Sequence, residues 1–520
     1  MTREMSQKDE DLSAHETARG ILSISTKDLV SSVAAVVFFV LIARSLPNVN
    51  DLGFLTGLQT LILMFILLSG LGLPNSAARF ISTYIGSGKN DRAKNLYPLI
   101  FYISIVSSTA FSFVLYSLSA YLAVHLFRGD EYTNLVQLAS VDVFLSSMIF
   151  TCVFLCYASQ QFTRVATFSI VNSVVKFSLA FVLFVVGWGL YGIVIGLIIG
   201  DAIGLSLFVI ALIPKILIRR YTLFLSASLL ELKTLFNFSI PLYGASILAF
   251  VTSRVDIYFL MILSTLYAVG IYSPALFMDN TFFLIWIAID QGLLPVTARI
   301  FGKSGLADFK SISKFSSRYL FLFYFPLGIA IAVSAPSLVV MVMGDRFIDS
   351  TYPVIIIVVG ITLTSPVVIF NNLLRSAGYS GTLLKNEALG VSAQVLMLLV
   401  LIPPFGVVGA ALAKVLSRVV YLIYPCFKLI RLGAMDYDRS ALRNGLAGSF
   451  IIGIVIVAMS VFITNQYYYL PITYTISFFV YLLFLRTSHA LDRKDIEFFD
   501  RIFMGKLKWL TAILVKLLIS

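Results

Sequence analysis

Apolar residues run in blocks of roughly 20 along nearly the whole chain, separated by short polar stretches, which is the pattern of helices that cross a bilayer. The blocks predict helices near 22–44, 54–78, 97–124, 135–160, 165–187, 190–213, 237–264, 267–298, 317–343, 352–376, 386–403, 405–427, 442–464 and 470–486. The expected class is therefore an all-α polytopic membrane protein with about fourteen transmembrane helices. One stretch, Leu41 to Arg79, reads as the end of a helix, a very short turn and the whole of the next helix. Gly53 follows the turn, and Gly70, Gly72 and Pro74 loosen the second helix before Arg79.

Self-comparison doubles this hairpin. Gly53 in DLGFLTG resembles Gly270 in AVGIYSP, Gly129-Asp130 resembles Gly344-Asp345, and Gly189 and Gly192 resemble Gly406 and Gly409, all at an offset of 215 to 217 residues. Pro295 and Arg299 answer Pro74 and Arg79. Two pseudo-symmetric six-helix lobes follow, entering the membrane in the same sense and related by an axis along the membrane normal. The predicted organisation is an N-terminal tail (1–20), a first lobe (21–213), a linker (214–236), a second lobe (237–428), two further helices (429–487) and an amphipathic C-terminal segment (488–520). Gly53, Pro74, Gly270 and Pro295 are the expected gate or kink positions.

Lysine and arginine alternate sharply between successive connections. One set holds Lys89, Arg92, Lys94, Arg164, Arg219, Arg220, Lys233, Lys303, Lys310, Lys314, Arg375, Lys385, Lys428 and Arg431; the other offers Arg44, Arg128 and Arg346. By the positive-inside rule both termini are expected on the cytoplasmic side of the plasma membrane. The net charge of +12 is thus a topology signal with a part for anionic lipid, not the basic face of a nucleic-acid binder.

Composition agrees: 520 residues, 59% hydrophobic, 12% charged and a mean hydropathy of +0.95. Residues 1–20 contain no apolar core, so no cleavable signal peptide is expected and the first span serves as its own. Cys152, Cys156 and Cys426 lie in apolar blocks and give no disulfide framework; His15, His125 and His489 are scattered and give no metal centre. No cofactor and no catalytic residue is expected. Gly302-Lys303-Ser304 resembles the end of a phosphate-binding loop, but Thr297 stands where its first glycine belongs, so ATP hydrolysis is excluded as a drive.

Charges inside apolar blocks carry the candidate chemistry, since each costs about 2.5–3.5 kcal/mol against lipid. Lys176 and Asp201 sit mid-span in neighbouring helices, and Asp142 lies in the fourth span. Arg254 and Asp256 share the seventh, Asp279 and Asp290 the eighth, Lys414 and Arg418 the twelfth. Opposite charges tie helices together, most clearly Lys176 with Asp201. The functional reading places Arg44, Arg79, Lys176, Arg254, Asp256 and Arg418 on a substrate cavity, because a guanidinium fork suits a phosphate. Asp256, Asp279 and Asp290 are the candidates for a coupling proton or sodium ion. Gly196, Gly200 and Gly204, four residues apart, predict close helix packing.

The runs ARSLPNVNDLGFLTGLQ, GLGLPNSAARFIS, SIPLYGASILAFVTSRVDIYFL and LPVTARI together resemble the polysaccharide-exporting branch of the multidrug/oligosaccharidyl-lipid/polysaccharide superfamily, over about residues 20–490. That resemblance implies an alternating-access cavity between two lobes, with a polyprenyl-phosphate- or -pyrophosphate-linked glycan as substrate and its tail in membrane lipid. It also implies that Arg44, Arg79, Arg254 and Asp256 are positions the family tends to retain. The alternatives are an ion-coupled multidrug antiporter of the same superfamily and, further off, a membrane glycosyltransferase or ligase. The longest external connection, around Asp130-Glu131, is too short for the loop such enzymes use.

Overall fold

The computed structural model describes residues 2–216, 229–463, 465–491 and Asp495, and every regular element among them is helical. Among the described residues, twelve helices are long and apolar enough to cross a membrane. Two of these, 162–212 and 381–431, are 51 residues long. A straight helix of that length would reach about 76 Å, against a hydrocarbon core of about 30 Å. Each is instead folded at a glycine. Gly189 has φ 56° and ψ −139°, and Gly406 has φ 53° and ψ −124°, conformations that a Cβ would oppose. Each long segment is therefore two passes, and the expected fourteen are recovered.

The chain divides into two compact units, Met1–Ile262 and Leu263–Ser520. The first holds α1 (Thr2–Ser45), α2 (Val49–Gly70), α3 (Leu73–Gly86), α4 (Asn90–His125), α5 (Thr133–Ala158), α6 (Phe162–Leu183), α7 (Gly189–Ile216) and α8 (Leu229–Leu263), which ends at the boundary. The second holds α9 (Leu266–Ser304), α10 (Phe309–Tyr319), α11 (Phe325–Met343), α12 (Thr351–Thr364), α13 (Val367–Ser376), α14 (Ser380–Arg431), α15 (Arg439–Phe462) and α16 (Gln466–Thr487). The compact units divide after α8, whereas the expected linker, 214–236, precedes it. The expected tail 1–20 is helical from Thr2, continuous with α1. Most of the expected 214–236 linker and of the 488–520 segment lies outside the described residues.

The internal repeat is present in the backbone. α2 starts at Val49 and α9 at Leu266, 217 residues later, so Gly53 and Gly270 are each the fifth residue of their helix. Short 3-10 turns begin at Asp130 and Asp345. The glycine folds at 189 and 406 share both dihedrals. The two copies nevertheless break in different spans. In the first, α2 and α3 are separated by Leu71 (φ 50°) and Gly72 (φ 69°), and Pro74 opens α3. In the second, α9 runs unbroken from Leu266 to Ser304, so the backbone does not break at Pro295 as it does before Pro74. Instead the tenth span breaks between α12 and α13, at Ser365-Pro366.

In the first unit α6 packs along α7 and against α1, and α5 along α4 and α7. Gly192, Gly196, Gly200 and Gly204 of α7 face Leu183, Ala180, Lys176 and Asn172 of α6 in antiparallel order. The four-residue glycine spacing thus makes a groove into which the α6 backbone settles. In the second unit α11 packs on α12 and α15, and α15 on α16. Tyr474 of α16 meets Ser334 of α11, hydroxyl to hydroxyl, at 2.6 Å.

A Cβ at Gly196 would stand 2.4 Å from the N and Cα of Ala180. Gly196→Ala is therefore expected to destabilise the protein by about 1–3 kcal/mol through overpacking, read as a lower unfolding temperature in detergent. Gly302→Ala, with no atom within 4 Å of its Cβ, is expected to leave that temperature unchanged or slightly raised. Equal effects of the two would show that the α6–α7 groove is not close-packed.

Candidate functional site

Among the described residues, each unit holds a cluster of three charges on its membrane-spanning helices; a further group in the second unit, Arg318 with Asp438 and Asp495, joins the start of the ninth span to residues beyond the twelfth. In the first, the missing side chain of Gly200 brings α7 against the backbone of Lys176 on α6 and puts Asp201 beside it. Lys176 Nζ lies 3.3 Å from Asp201 Oδ1, and Ser146 of α5 donates to Oδ2 at 2.6 Å. Asp142, one turn before Ser146 on α5, is 6% exposed and has Asp201 and Lys176 as its charged neighbours. In the second unit Asp279 of α9 meets two cations four residues apart on α14. Arg418 Nη2 lies 2.6 and 2.8 Å from the two carboxylate oxygens, and Lys414 Nζ lies 3.4 Å from Oδ2.

The two clusters are inverted in charge. The first has two carboxylates to one ammonium; the second has two cations to one carboxylate. Asp201 and Arg418 stand 217 residues apart, so one repeat position carries opposite signs in the two copies. The carboxylates are deeply buried, Asp201 at 1% and Asp279 at 6% exposed, as is Lys414 at 3%, whereas Lys176 and Arg418 are partly exposed.

A second polar feature joins α8 to α2 and α3. Ser239 donates to Ser76 at 2.6 Å, Tyr243 to the Leu68 carbonyl at 3.2 Å, and Tyr258 to the Thr60 carbonyl at 3.1 Å. The Leu68 carbonyl lies just ahead of the break at Leu71-Gly72, where α-helical bonding stops, and Tyr243 supplies a donor there. Gly72 is required at that break: a Cβ would meet the Ser239 carbonyl oxygen at 2.7 Å. The guanidinium of Arg79 lies 4.1 Å from the centre of the Phe238 ring, a cation–π distance.

The predicted site residues fall into three groups. Lys176 is held by Asp201, and Arg418 by Asp279, so two expected cavity cations are tied within their own units. Asp279, a candidate for a coupling proton or sodium ion, has a guanidinium and an ammonium beside its carboxylate oxygens. Asp290 is likewise engaged, by Arg375 at 2.7 Å and by the Asn372 amide at 2.9 Å. Arg44 lies exposed in the last turn of α1, Arg79 is exposed on α3, and Arg254 is half-buried on α8. Asp256 is 0% exposed, and its Oδ1 accepts from the Ile257 N–H at 3.1 Å. Two residues apart on one helix, Arg254 and Asp256 point about 200° apart, so they do not share a face. Gly53 and Gly270 are buried.

Sequence reasoning missed Asn372, Arg375 and Thr297, whose hydroxyl donates to Asn372 Oδ1 at 2.8 Å. Their signal was present as polar residues at helical spacing in α13, Asn371-Asn372 and Arg375, after an apolar block.

A family model described as a polysaccharide biosynthesis protein matches residues 81–352. Among solved structures, the lipid II flippase MurJ in an inward closed conformation superposes with a TM-score of 0.73 at 14% identity, covering 89% of this chain and 98% of that one. An inward-facing multidrug resistance MATE transporter of the MOP superfamily gives 0.61 at 13% identity, covering 80% and 99%. A MATE transporter of Vibrio cholerae, VcmN, gives 0.52 at 16% identity, covering 79% and 98%. No curated protein matches the sequence.

The charge arithmetic ranks two substitutions. Asp279→Asn leaves two buried cations without their counter-ion and is expected to cost about 3–5 kcal/mol. Lys414→Met leaves a one-to-one pair and is expected to be close to neutral in unfolding temperature. A reversed order would show that the cluster is solvated rather than buried.

Proposed function

Because this chain belongs to the polysaccharide biosynthesis protein family, with residues 81–352 matching its model, we propose that it is a flippase for a lipid-linked glycan. It would move a polyprenyl-phosphate- or -pyrophosphate-linked oligosaccharide from the cytoplasmic to the outer leaflet of the plasma membrane by alternating access. The observation that carries this reading is the extent of the fold match: the lipid II flippase covers 89% of the chain, whereas the two drug-transporter folds cover 79% and 80%. Two helices, α15 and α16, packed on the second unit, are what a twelve-span transporter lacks. The alternation of lysine and arginine between connections supports cytoplasmic termini.

The physical problem is definite. A sugar headgroup cannot enter hydrocarbon without several kcal/mol per unsatisfied polar group, and a hydrophilic path open to one side at a time removes that barrier. In this proposal Arg44, Arg79 and Arg254 meet the anionic headgroup. Asp256 remains a candidate for a coupling proton or sodium ion. The second reading, an ion-coupled drug antiporter, is favoured by the drug-transporter folds themselves.

A deletion strain separates the two. Loss of the protein is expected to trap lipid-linked oligosaccharide on the cytoplasmic face, with no gain in drug sensitivity; the opposite pattern would favour the antiporter. Arg254→Ala is expected to abolish glycan export while membrane insertion is retained. Wild-type surface glycan in that variant would remove Arg254 from the substrate path.

A further inference from the structure

The cluster of Asp142, Lys176 and Asp201 contains more negative charge than its surroundings can balance. Asp142 and Asp201 are side-chain neighbours, 6% and 1% exposed. Among the described residues, Asp142 Oδ1 has no hydrogen-bond partner, nor does Asp201 Oδ1 beyond its ion pair with Lys176. The charged groups facing Asp142 are Asp201 and Lys176. The cations of the other helices packed here have partners of their own among the described residues: Lys27 of α1 pairs with Asp28, Arg79 of α3 stacks on Phe238, Lys94 of α4 pairs with Asp91, His125 of α4 meets the Tyr121 carbonyl, and Arg164 of α6 donates to Gln161. With both carboxylates ionised the cluster holds one uncompensated buried charge, a state that the hydrocarbon surroundings penalise strongly.

We propose that Asp142 and Asp201, with Lys176, form a proton-binding site in the first unit, in which one proton is shared by the two carboxyl groups. One carboxylate takes the proton, becomes an O–H donor to the other, and the cluster becomes neutral: one carboxylate, one carboxylic acid, one ammonium. Like-charge carboxylates in contact cannot both ionise, so the proton is held by the pair rather than by either residue. The site selects a proton over sodium. A sodium ion needs several oxygens at coordination distance, and the ammonium of Lys176 already stands 3.3 Å from Asp201 Oδ1, where it repels a second cation.

Lys176 is 25% exposed, and it is the member of the cluster that reaches the surface of its helix pair. The Asn172 side chain, one turn earlier on α6, is buried, with an acceptor oxygen that has no hydrogen-bond partner among the described residues. Loss of the proton would leave two carboxylates repelling across the α5–α7 contact, with one lysine to share. Proton binding is thereby linked to the packing of α5, α6 and α7. If the chain is a transporter, as proposed above, this is the site at which a proton gradient acts on it.

The test is an infrared difference spectrum of the full-length protein in lipid nanodiscs, taken between acid and alkaline buffers, and it needs no transport substrate. A carboxylic-acid carbonyl band that disappears on alkalinisation is expected, shifted by isotope labelling of aspartate and lost in both Asp142→Asn and Asp201→Asn. Its pH midpoint is expected to be the same in sodium and in potassium salts. Retention of the band in both variants, or a midpoint moved by sodium, would overturn the proposal. Unfolding temperatures of the two near-isosteric variants establish that they fold, and Asp256→Asn, which leaves the cluster intact, is expected to keep the band. A negative result in glycan export with the band present would refute the flippase reading and leave the proton site standing.

Discussion

Charge neutralisation inside apolar helices is the constraint on which the rest depends. Lys176, Asp201, Asp142, Asp279, Lys414 and Arg418 all lie within spans, where a lone charge is costly. Each unit meets part of this with its own residues, through contacts between helices that pack closely, and each cluster is left one charge out of balance. The glycines of α7 are part of the solution, since only a groove without side chains brings the α6 backbone near enough for Lys176 to meet Asp201. Packing and electrostatics are thus one problem here: the small residues set the distance and the charges set the partner.

Much of the fold was legible in the chain. Apolar blocks marked the spans, and glycines at a constant offset revealed the repeat, because a left-handed fold at Gly189 and at Gly406 needs the same residue type for the same reason. The Lys176–Asp201 tie was also readable, as opposite charges mid-span in consecutive helices. What the sequence hid was pairing at long range. Nothing local says that Asp279 meets residues of α14, or that Asp290 meets Arg375, since those partners lie far along the chain and meet by tertiary packing. Where the compact units divide was hidden for a related cause. A polar linker marks where the chain leaves the membrane, but membership of a compact unit depends on which helix faces match. Three hydroxyl contacts tie α8 to α2 and α3.

The two copies are alike in length and topology and unlike in where they yield. The first copy breaks its second span at Leu71-Gly72; the second keeps that span whole and breaks its fourth at Ser365-Pro366. Their buried charges are inverted in the same manner, with Asp201 and Arg418 at one repeat position. A duplicated frame has therefore been specialised in two ways at once. One copy carries the anionic cluster and a break backed by α8, the other the cationic cluster and a proline break.

The seam along α8 has a consequence for biosynthesis. Membrane helices are delivered in chain order, and the first compact unit extends to Ile262. When α7 has been inserted, the break at Gly72 still lacks the Tyr243 hydroxyl beside it, and Ser76 still lacks Ser239. The unit closes only after the chain has passed through residues 217–228 and supplied a further helix. A product released at that connection would contain six spans and would lack the α8 hydroxyls at Ser76 and at the Leu68 carbonyl.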